Sequence, residues 1–408
     1  MRRSLFLLCA LLPTAATAAP LTFDAALQRA RADAPSLKAK TLGADAARSS
    51  RGAAGSLPDP TLAVGVDSFP ISGPLAFEPG RDNFTWGRVG VSQDIPNLAK
   101  RHAAQARADT DIAAADAGTA VEARTVEVNT ALAWINLAYA EKRLAALDDV
   151  FGRLQHIVQS SAGSVASGSA RPAQTLAGQQ AIAAMQDRRS EVESAVARAR
   201  AILTRWTGDP NPQVVGPIPD FPVDATTLRA ALDRHPTLRM ADAETAQADA
   251  DVRVATADRR PDFGVNVAYQ HRDPRFGDYV SAGVTIGLPM FTRHRQDSQI
   301  SAKEADAARL RSEQEAARRA LASDLDSDLA DHVMHHDQWM RARDTLQPLA
   351  EQRVKLETAS YAAGRASLAD IADAHAALAD AILTTLDREA LVAADGARLV
   401  LTYRSDAQ

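Results

Sequence analysis

The stretch Gly90-Val91-Ser92-Gln93-Asp94-Ile95-Pro96 is matched 193 residues later by Gly283-Val284-Thr285-Ile286-Gly287-Leu288-Pro289. Further upstream, Pro35-Ser36-Leu37-Lys38 matches Pro236-Thr237-Leu238-Arg239 at an offset of 201. Self-similarity of this kind is the mark of a repeated structural unit. Because the aligned positions include prolines and glycines, accidental similarity between alanine-rich helices explains them poorly. We therefore interpret the chain as an internal duplication, with a first repeat over 20–220 and a second over 221–408.

Segments of alternating polarity lie in both repeats. The clearest is Val280 to Leu288, where valine and isoleucine alternate with serine, glycine and threonine. Period-two alternation predicts a strand with one apolar and one small polar face. Such a strand fits the boundary between two media, although a soluble sandwich with one face on its core stays an open alternative. The predicted strands are about 61–69, 84–95, 262–271 and 279–290.

Long helices follow the strands in each repeat. Shorter helical segments come first, over Phe23 to Ser56 and Ala225 to Arg259. A run of sixty-odd helical residues reaches roughly 90–100 Å, and helices of that length need lateral partners. The sequence therefore predicts a mixed α/β chain, internally duplicated, with four strands and very long helices. The predicted long helices are about 100–163, 170–207, 293–361 and 367–403.

The first residues are typical of a secretory signal peptide. Arg2 and Arg3 precede the apolar run Leu5 to Leu12, and Ala16-Thr17-Ala18 supplies a cleavage site. We expect residues 1–19 to be removed. Cys9, the one cysteine of the chain, lies within that run. We expect neither a lipid anchor there nor any disulfide or thiolate metal site in the mature chain.

The composition of the 408-residue chain argues against several functional classes. Its formal net charge is -5 with dispersed basic residues, so we expect no nucleic-acid partner. No P-loop, GxSxG or HExxH motif occurs, and no spacing links the scattered serine, histidine and aspartate residues into a catalytic group. We therefore expect no enzyme activity and no cofactor. Beyond the signal peptide no run of 18 apolar residues predicts a transmembrane helix.

Four strands are too few to close a barrel. An open sheet edge in a bilayer leaves backbone groups unpaired, at a cost of several kcal/mol each. If these strands cross a membrane, separate copies must pool them. Three copies would supply twelve strands, within the range of about 8 to 26 known for such barrels.

The duplicated plan resembles the TolC family of outer-membrane efflux proteins. The segment Tyr361-Ala362-Ala363-Gly364-Arg365-Ala366-Ser367-Leu368-Ala369-Asp370-Ile371 is similar to that family's turn between two long helices. The resemblance implies a homotrimer with a twelve-stranded barrel in the cell outer membrane and an α-helical barrel in the periplasm. It also implies a periplasmic adaptor (a membrane fusion protein) and an inner-membrane pump of the RND type as partners.

A narrower likeness concerns the transported substrate. Leu57-Pro58-Asp59-Pro60, Asp67-Ser68-Phe69-Pro70 and Gly90 to Pro96 resemble the CzcC-like, heavy-metal branch of the family. This implies a passive exit duct for copper, zinc, cobalt or cadmium ions. A drug-efflux or type I secretion duct of the same shape is the alternative. A soluble periplasmic coiled-coil scaffold is a second alternative from a different class.

Candidate site residues follow from the same resemblance. Acids at the positions of Asp370 and Asp373 constrict the closed entrance in TolC proteins, so both are candidates for a lumen gate. Asp380 and Asp387 continue their helix face and are candidates for an acidic stripe along the lumen. A solvated helix face is the alternative for all four. The matching turn of the first repeat has Gln174 rather than an acid. Candidates for adaptor-docking turns, or for plain helix caps, are Gly168, Gly364, Arg365 and Ser367.

One histidine cluster has metal-like spacing. His332 is three residues from His335 and four from His336, so two imidazoles can face one ion on a helix. A tight site would hinder flow through a duct. We expect no metal site in the protein, with these three histidines as the only candidates.

Overall fold

A computed structural model describes residues 20–166 and 172–404 of the chain, with side chains described outside 161–166 and 172–175. The predicted signal peptide, its Cys9 and the predicted turn residue Gly168 lie outside the described residues. The described residues contain six strands: β1 Pro20–Leu21, β2 Thr61–Asp67, β3 Trp86–Ile95, β4 Gln213–Val214, β5 Asp262–His271 and β6 Tyr279–Gly287. The helices are α1 Phe23–Asp33, α2 Pro35–Ala53, α3 Leu98–Ala166, α4 Pro172–Thr207, α5 Ala225–Ala231, α6 Pro236–Ala257, α7 Gln296–Arg341, α8 Gln347–Ala362 and α9 Leu368–Tyr403. The prediction of a mixed α/β chain with four longer strands and very long helices is confirmed.

Two prolines divide the short helical segments that the sequence predicts as continuous. Ala34, before Pro35, has an extended backbone with ψ of 117° and separates α1 from α2. His235, before Pro236, is extended with ψ of 137° and separates α6 from a 3₁₀ turn over Leu232–Arg234. A proline ring clashes with a helical conformation of the residue before it. The single segments expected over Phe23 to Ser56 and Ala225 to Arg259 are therefore wrong in this respect.

The helix predicted over 293–361 is also interrupted. A 3₁₀ turn over Thr292–His294 precedes α7, and a π-helical segment over Ala342–Leu346 separates α7 from α8. Pro348, which lies in the first turn of α8, lacks the N–H that an uninterrupted α-helix requires at that position. The wider π turn accommodates that missing hydrogen bond without ending the helical path.

The four longer strands form one antiparallel sheet in the order β2-β3-β5-β6. The hairpins β2–β3 and β5–β6 each come from one predicted repeat, and β3 pairs with β5 at the centre. Both β2 and β6 are therefore edge strands, each paired on one side within this chain. The two-residue strands β1 and β4 pair in parallel in a separate small sheet.

The chain divides into two compact units. The first comprises residues 1–38, 122–233 and 321–408, and the second comprises 39–121 and 234–320. The core of the first unit centres on Trp134, whose indole N–H donates to the Leu21 carbonyl at 2.9 Å and whose ring packs edge-on against Phe23. A second cluster in this unit joins α3, α4, α8 and α9 around Leu154 and Leu378.

The second unit contains the four-stranded sheet. None of the helices in the described ranges is long and apolar enough to span a lipid bilayer.

Candidate functional site

One face of the four-stranded sheet is apolar and exposed. Strand register places Val64 opposite Val89, Val89 opposite Tyr269, and Tyr269 opposite Val280. Directly paired residues share a face in an antiparallel sheet, so this row is apolar across all four strands. Val64 and Val280 are each 72% exposed. The other large apolar side chains that share this exposed face are Leu62, Val66, Val91, Phe263, Val265, Val267, Val284 and Ile286.

The opposite face carries small and polar side chains. One row runs Thr61, Ser92, Asn266 and Gly283, with the hydroxyls of Thr61 and Ser92 hydrogen-bonded at 2.6 Å. Arg88 and Asp94 stand on the same side. A cavity of about 760 Å³ lies against these residues. The sheet therefore separates a polar side from an apolar side, and none of its residues belongs to a core cluster among the described residues.

The turn between α8 and α9 is closed by backbone hydrogen bonds. Gly364 has φ of +71°, its N–H donates to the Tyr361 carbonyl at 2.9 Å, and Arg365 N–H donates to the Ser360 carbonyl at 2.8 Å. This pair of bonds is the Schellman arrangement, which needs a left-handed residue after the helix. The expected helix-ending role of Gly364 follows directly from this geometry. Adaptor docking by Gly364, Arg365 and Ser367 stays a prediction.

Asp370 has a structural partner that the sequence interpretation missed. Its carboxylate accepts the Ser367 backbone N–H at 2.8 Å, and the Ser367 hydroxyl accepts the Asp370 N–H at 3.3 Å. Together these bonds form a capping box at the start of α9. They also hold the pKa of Asp370 below its ordinary value, because the hydrogen bonds from Ser367 stabilise the carboxylate. The Ser-x-x-Asp spacing is a sequence signal for such a cap. Asp370 is exposed, so its charge is also available to solvent.

The other three candidate acids differ in their surroundings. Asp373 is exposed and has no ion-pair partner in the part of the chain that the structure describes. Asp380 is paired with Arg188 of α4, and Asp387 is paired with Arg143 of α3. The two arginines are more than 190 residues away along the chain, so no sequence spacing predicts these pairs. The lumen position of the four acids stays a prediction, but Asp380 and Asp387 carry a neighbouring positive charge that the prediction of an acidic stripe left out.

The histidine cluster does not gather around a common point. The His335 Nδ1 lies 2.6 Å from one carboxylate oxygen of buried Asp395. Arg398 donates to the other carboxylate oxygen at 3.1 Å. His336 packs edge-on against Trp339. The pKa of His332 is lowered, mainly by burial. Within the described ranges, no group of three histidine, cysteine, aspartate or glutamate side chains is arranged to hold a metal ion.

His375 is a buried titratable group close to the candidate gate. Its side chain is 3% exposed, and neither ring nitrogen has a hydrogen-bond partner in the described part of the chain. Burial is the main cause of its lowered pKa, and the positive charge of Arg153 adds to the effect. The imidazole is therefore held neutral within the apolar packing of α9.

Comparison with known proteins shows a family match over part of the chain and a shared fold over most of it. Residues 227–402 match the family model described as outer membrane efflux protein. No curated protein sequence matches the chain. The fold resembles solved structures of CusC (15% identity, 95% of this chain and 93% of that chain, TM-score 0.78) and of the CmeC outer membrane channel from Campylobacter jejuni (13% identity, 95% and 87%, TM-score 0.80). It also resembles the MtrE outer membrane channel of Neisseria gonorrhoeae in its open state (16% identity, 96% and 91%, TM-score 0.77).

The chain therefore resembles the outer membrane efflux protein family over residues 227–402. This match lies within the second predicted repeat, and the resemblance in fold extends over almost the whole chain. Members of the matched family are passive channels, which agrees with the expectation that the chain is not an enzyme.

Proposed function

We propose that this chain is one of three identical subunits of an outer-membrane efflux duct. The single observation that carries the proposal is the exposed apolar face of the four-stranded sheet. Exposed valines and isoleucines across four adjacent strands are costly in water and favourable against lipid. The polar face then borders an aqueous lumen, as in other membrane barrels. The long helices extend into the periplasm.

The open edges of the sheet support a closed assembly. β2 and β6 are each paired on one side only, and the alternation along β2-β3-β5-β6 makes them antiparallel to each other. The β2 edge of one copy can therefore pair with the β6 edge of the next in the same antiparallel sense. Three copies give twelve strands and leave no edge exposed to lipid.

A disulfide test addresses this seam directly. The mature chain is expected to lack cysteine, so a panel pairing Ala63→Cys or Gly65→Cys in β2 with Ser281→Cys or Gly283→Cys in β6 introduces the only thiols. In the oxidising periplasm we expect at least one pair to give covalent trimers. Ser92→Cys with Asn266→Cys is the matched control, because these residues are paired within one chain and should link internally. Monomers for every β2–β6 pair, alongside a linked control, would contradict the trimeric seam.

The transport mechanism we propose is passive. An inner-membrane pump of the RND type supplies the energy, and a periplasmic adaptor docks at the α8–α9 turn and at Gly168, where the sequence predicts a second turn. Asp370 and Asp373, in the first two turns of α9, narrow the closed entrance with negative charge. Adaptor binding separates the α8–α9 hairpins of the three copies and widens that opening.

Heavy-metal cations are the substrates we propose. The resemblance of the loops around Pro58 and Pro70 to the CzcC-like branch supports this choice, and exposed acidic residues at the entrance suit cations. A deletion strain tested on zinc, copper, cobalt, cadmium and a drug panel decides between substrates. Sensitivity to metals, restored by the wild-type chain, is the expected result. Sensitivity to drugs alone would assign the alternative drug-efflux role.

A further inference from the structure

The segment after β6 continues the apolar face beyond the sheet. Leu288, Met290 and Phe291 are 65%, 75% and 80% exposed, and none of them belongs to a core cluster among the described residues. They lie between the last residue of β6, Gly287, and the start of α7. In the proposed orientation this is where the barrel leaves the membrane on its helical side. Large apolar side chains this exposed favour contact with acyl chains over contact with water.

Three basic residues follow this apolar segment, after Thr292. Arg293, His294 and Arg295 are all exposed. None of their side chains has a hydrogen bond or an ion pair with another residue in the ranges that the structure describes. The chain as a whole has a net charge of -5, so this basic group is a local feature rather than a consequence of composition.

The duplicated positions of the first repeat show the contrast. At the offset of 193, Lys100 and Arg101 correspond to Arg293 and His294. Lys100 is paired with Asp258 at 2.8 Å and with Asp262 at 3.5 Å, and Arg101 donates to the Gly55 carbonyl at 2.7 Å. Lys100 and Arg101, in the first repeat, are therefore already bound to other residues of the chain. The second repeat leaves the corresponding charges available to a ligand.

A cleft adjoins these charges. His294 and Arg295 line one side of a cavity of about 610 Å³, which Lys100 and its ion-pair partners Asp258 and Asp262 also border. The cavity is open to solvent and large enough for a polar headgroup. Along the chain, apolar side chains come first and basic side chains follow. In a phospholipid, the acyl chains are likewise followed by the charged phosphate of the headgroup.

We propose that Met290, Phe291, Arg293, His294 and Arg295 form a phospholipid-binding surface. The two apolar side chains contact the acyl chains, and the basic residues bind the anionic headgroup. The inference rests on the proposed function, because the sheet must lie in a membrane for the segment to meet lipid. Charge complementarity and continuity with the exposed apolar face favour a phospholipid over a protein partner. Basic side chains near an anionic membrane surface are attracted to it.

Native mass spectrometry of the purified full chain in detergent tests this surface. Phosphatidylglycerol and phosphatidylcholine with identical acyl chains are titrated as probes. The wild type should bind phosphatidylglycerol more tightly, and Arg293→Gln with Arg295→Gln should weaken that binding roughly thirtyfold. Phe291→Ser should weaken binding of both lipids. Lys38→Gln with Lys40→Gln is the charge-matched control, because it removes two exposed cations near the start of α2 and should bind as the wild type does.

The outcomes separate this inference from the proposed function. Equal binding of the two lipids by the wild type, or unchanged phosphatidylglycerol binding by the arginine double variant, overturns the lipid surface. Fractionation of cells expressing each variant is read independently. A wild-type chain that does not sediment with outer membranes contradicts the proposed function, whatever the lipid titration shows.

Discussion

Arg188 on α4 forms an ion pair with Asp380 on α9. The two side chains are 39% and 51% exposed, so solvent screens the pair and its contribution to stability is small. Its importance lies in charge balance, because the acid predicted to line the lumen has a cation beside it. The same holds for Asp387 and Arg143.

The first prediction concerns ion selectivity. If the α9 acids face the lumen, Arg188→Gln leaves Asp380 uncompensated and should raise the permeability ratio of potassium to chloride. Asp380→Asn should shift the reversal potential in the opposite direction. Planar-bilayer recordings under a salt gradient measure both. A pair outside the lumen predicts identical reversal potentials for the two variants and the wild type.

The candidate gate is tested by its charge. Replacing Asp370 and Asp373 by alanine should increase ion leak through reconstituted channels, because three copies of each acid would be lost from one constriction. Asp187→Ala removes an exposed acid of α4 and serves as the control. Conductance equal to that of the wild type would contradict the placement of the two acids at a constriction.

The cap at Asp370 needs a separate control. Ser367→Ala removes the hydroxyl of the capping box and retains the carboxylate. We expect this variant to lose roughly 0.5–2 kcal/mol of local helix stability with little change in leak. A leak as large as that of the double alanine variant would mean that helix fraying, and not charge, opens the channel.

Buried His375 predicts a pH dependence of thermal stability. Its pKa in the folded chain lies below the ordinary value of 6.5, so below that pH the unfolded chain binds more protons than the folded chain. The free energy of unfolding should therefore fall as the pH decreases from about 6.5 towards the lowered pKa of the folded chain. The melting temperature of the purified channel, measured at several pH values across this range, gives the slope.

His375→Leu is the variant that isolates this effect. It should flatten the dependence of melting temperature on pH below about 6.5, since the replacement has no proton to bind. His332 also has a lowered pKa, so a smaller slope should remain. The same slope in the variant and the wild type would show that His375 does not contribute.

Local sequence patterns predicted much of the fold and less of the site. Alternation from Val280 to Leu288 predicts a strand and its faces, because side chains alternate with a period of two along any strand. The sheet order could not be predicted, since the pairing of Val89 with Tyr269 joins residues from different repeats and leaves no local pattern. The same distance along the chain hides the partners of Asp380 and Asp387.

The missed features have local physical causes. Pro35 and Pro236 were used to align the repeats, although each also excludes a helical conformation at the preceding residue. The Ser367–Asp370 spacing is typical of a capping box, whereas the family resemblance implies only a gating role for the charge of Asp370. The sequence does not mark Arg293 as an unpaired cation, because only the structure shows that its counterpart in the first repeat, Lys100, is paired with Asp258.

The most direct measurement of the central claim compares two adjacent residues of β6. Val284 lies on the apolar face and Thr285 on the polar face. A lysine facing lipid near the bilayer midplane costs roughly 2–4 kcal/mol, whereas a lysine facing an aqueous lumen is tolerated. Trimers extracted from outer membranes are quantified for Val284→Lys and Thr285→Lys. We expect the first variant to reduce assembly strongly and the second to assemble as the wild type does; equal assembly of the two would contradict a membrane position for the sheet.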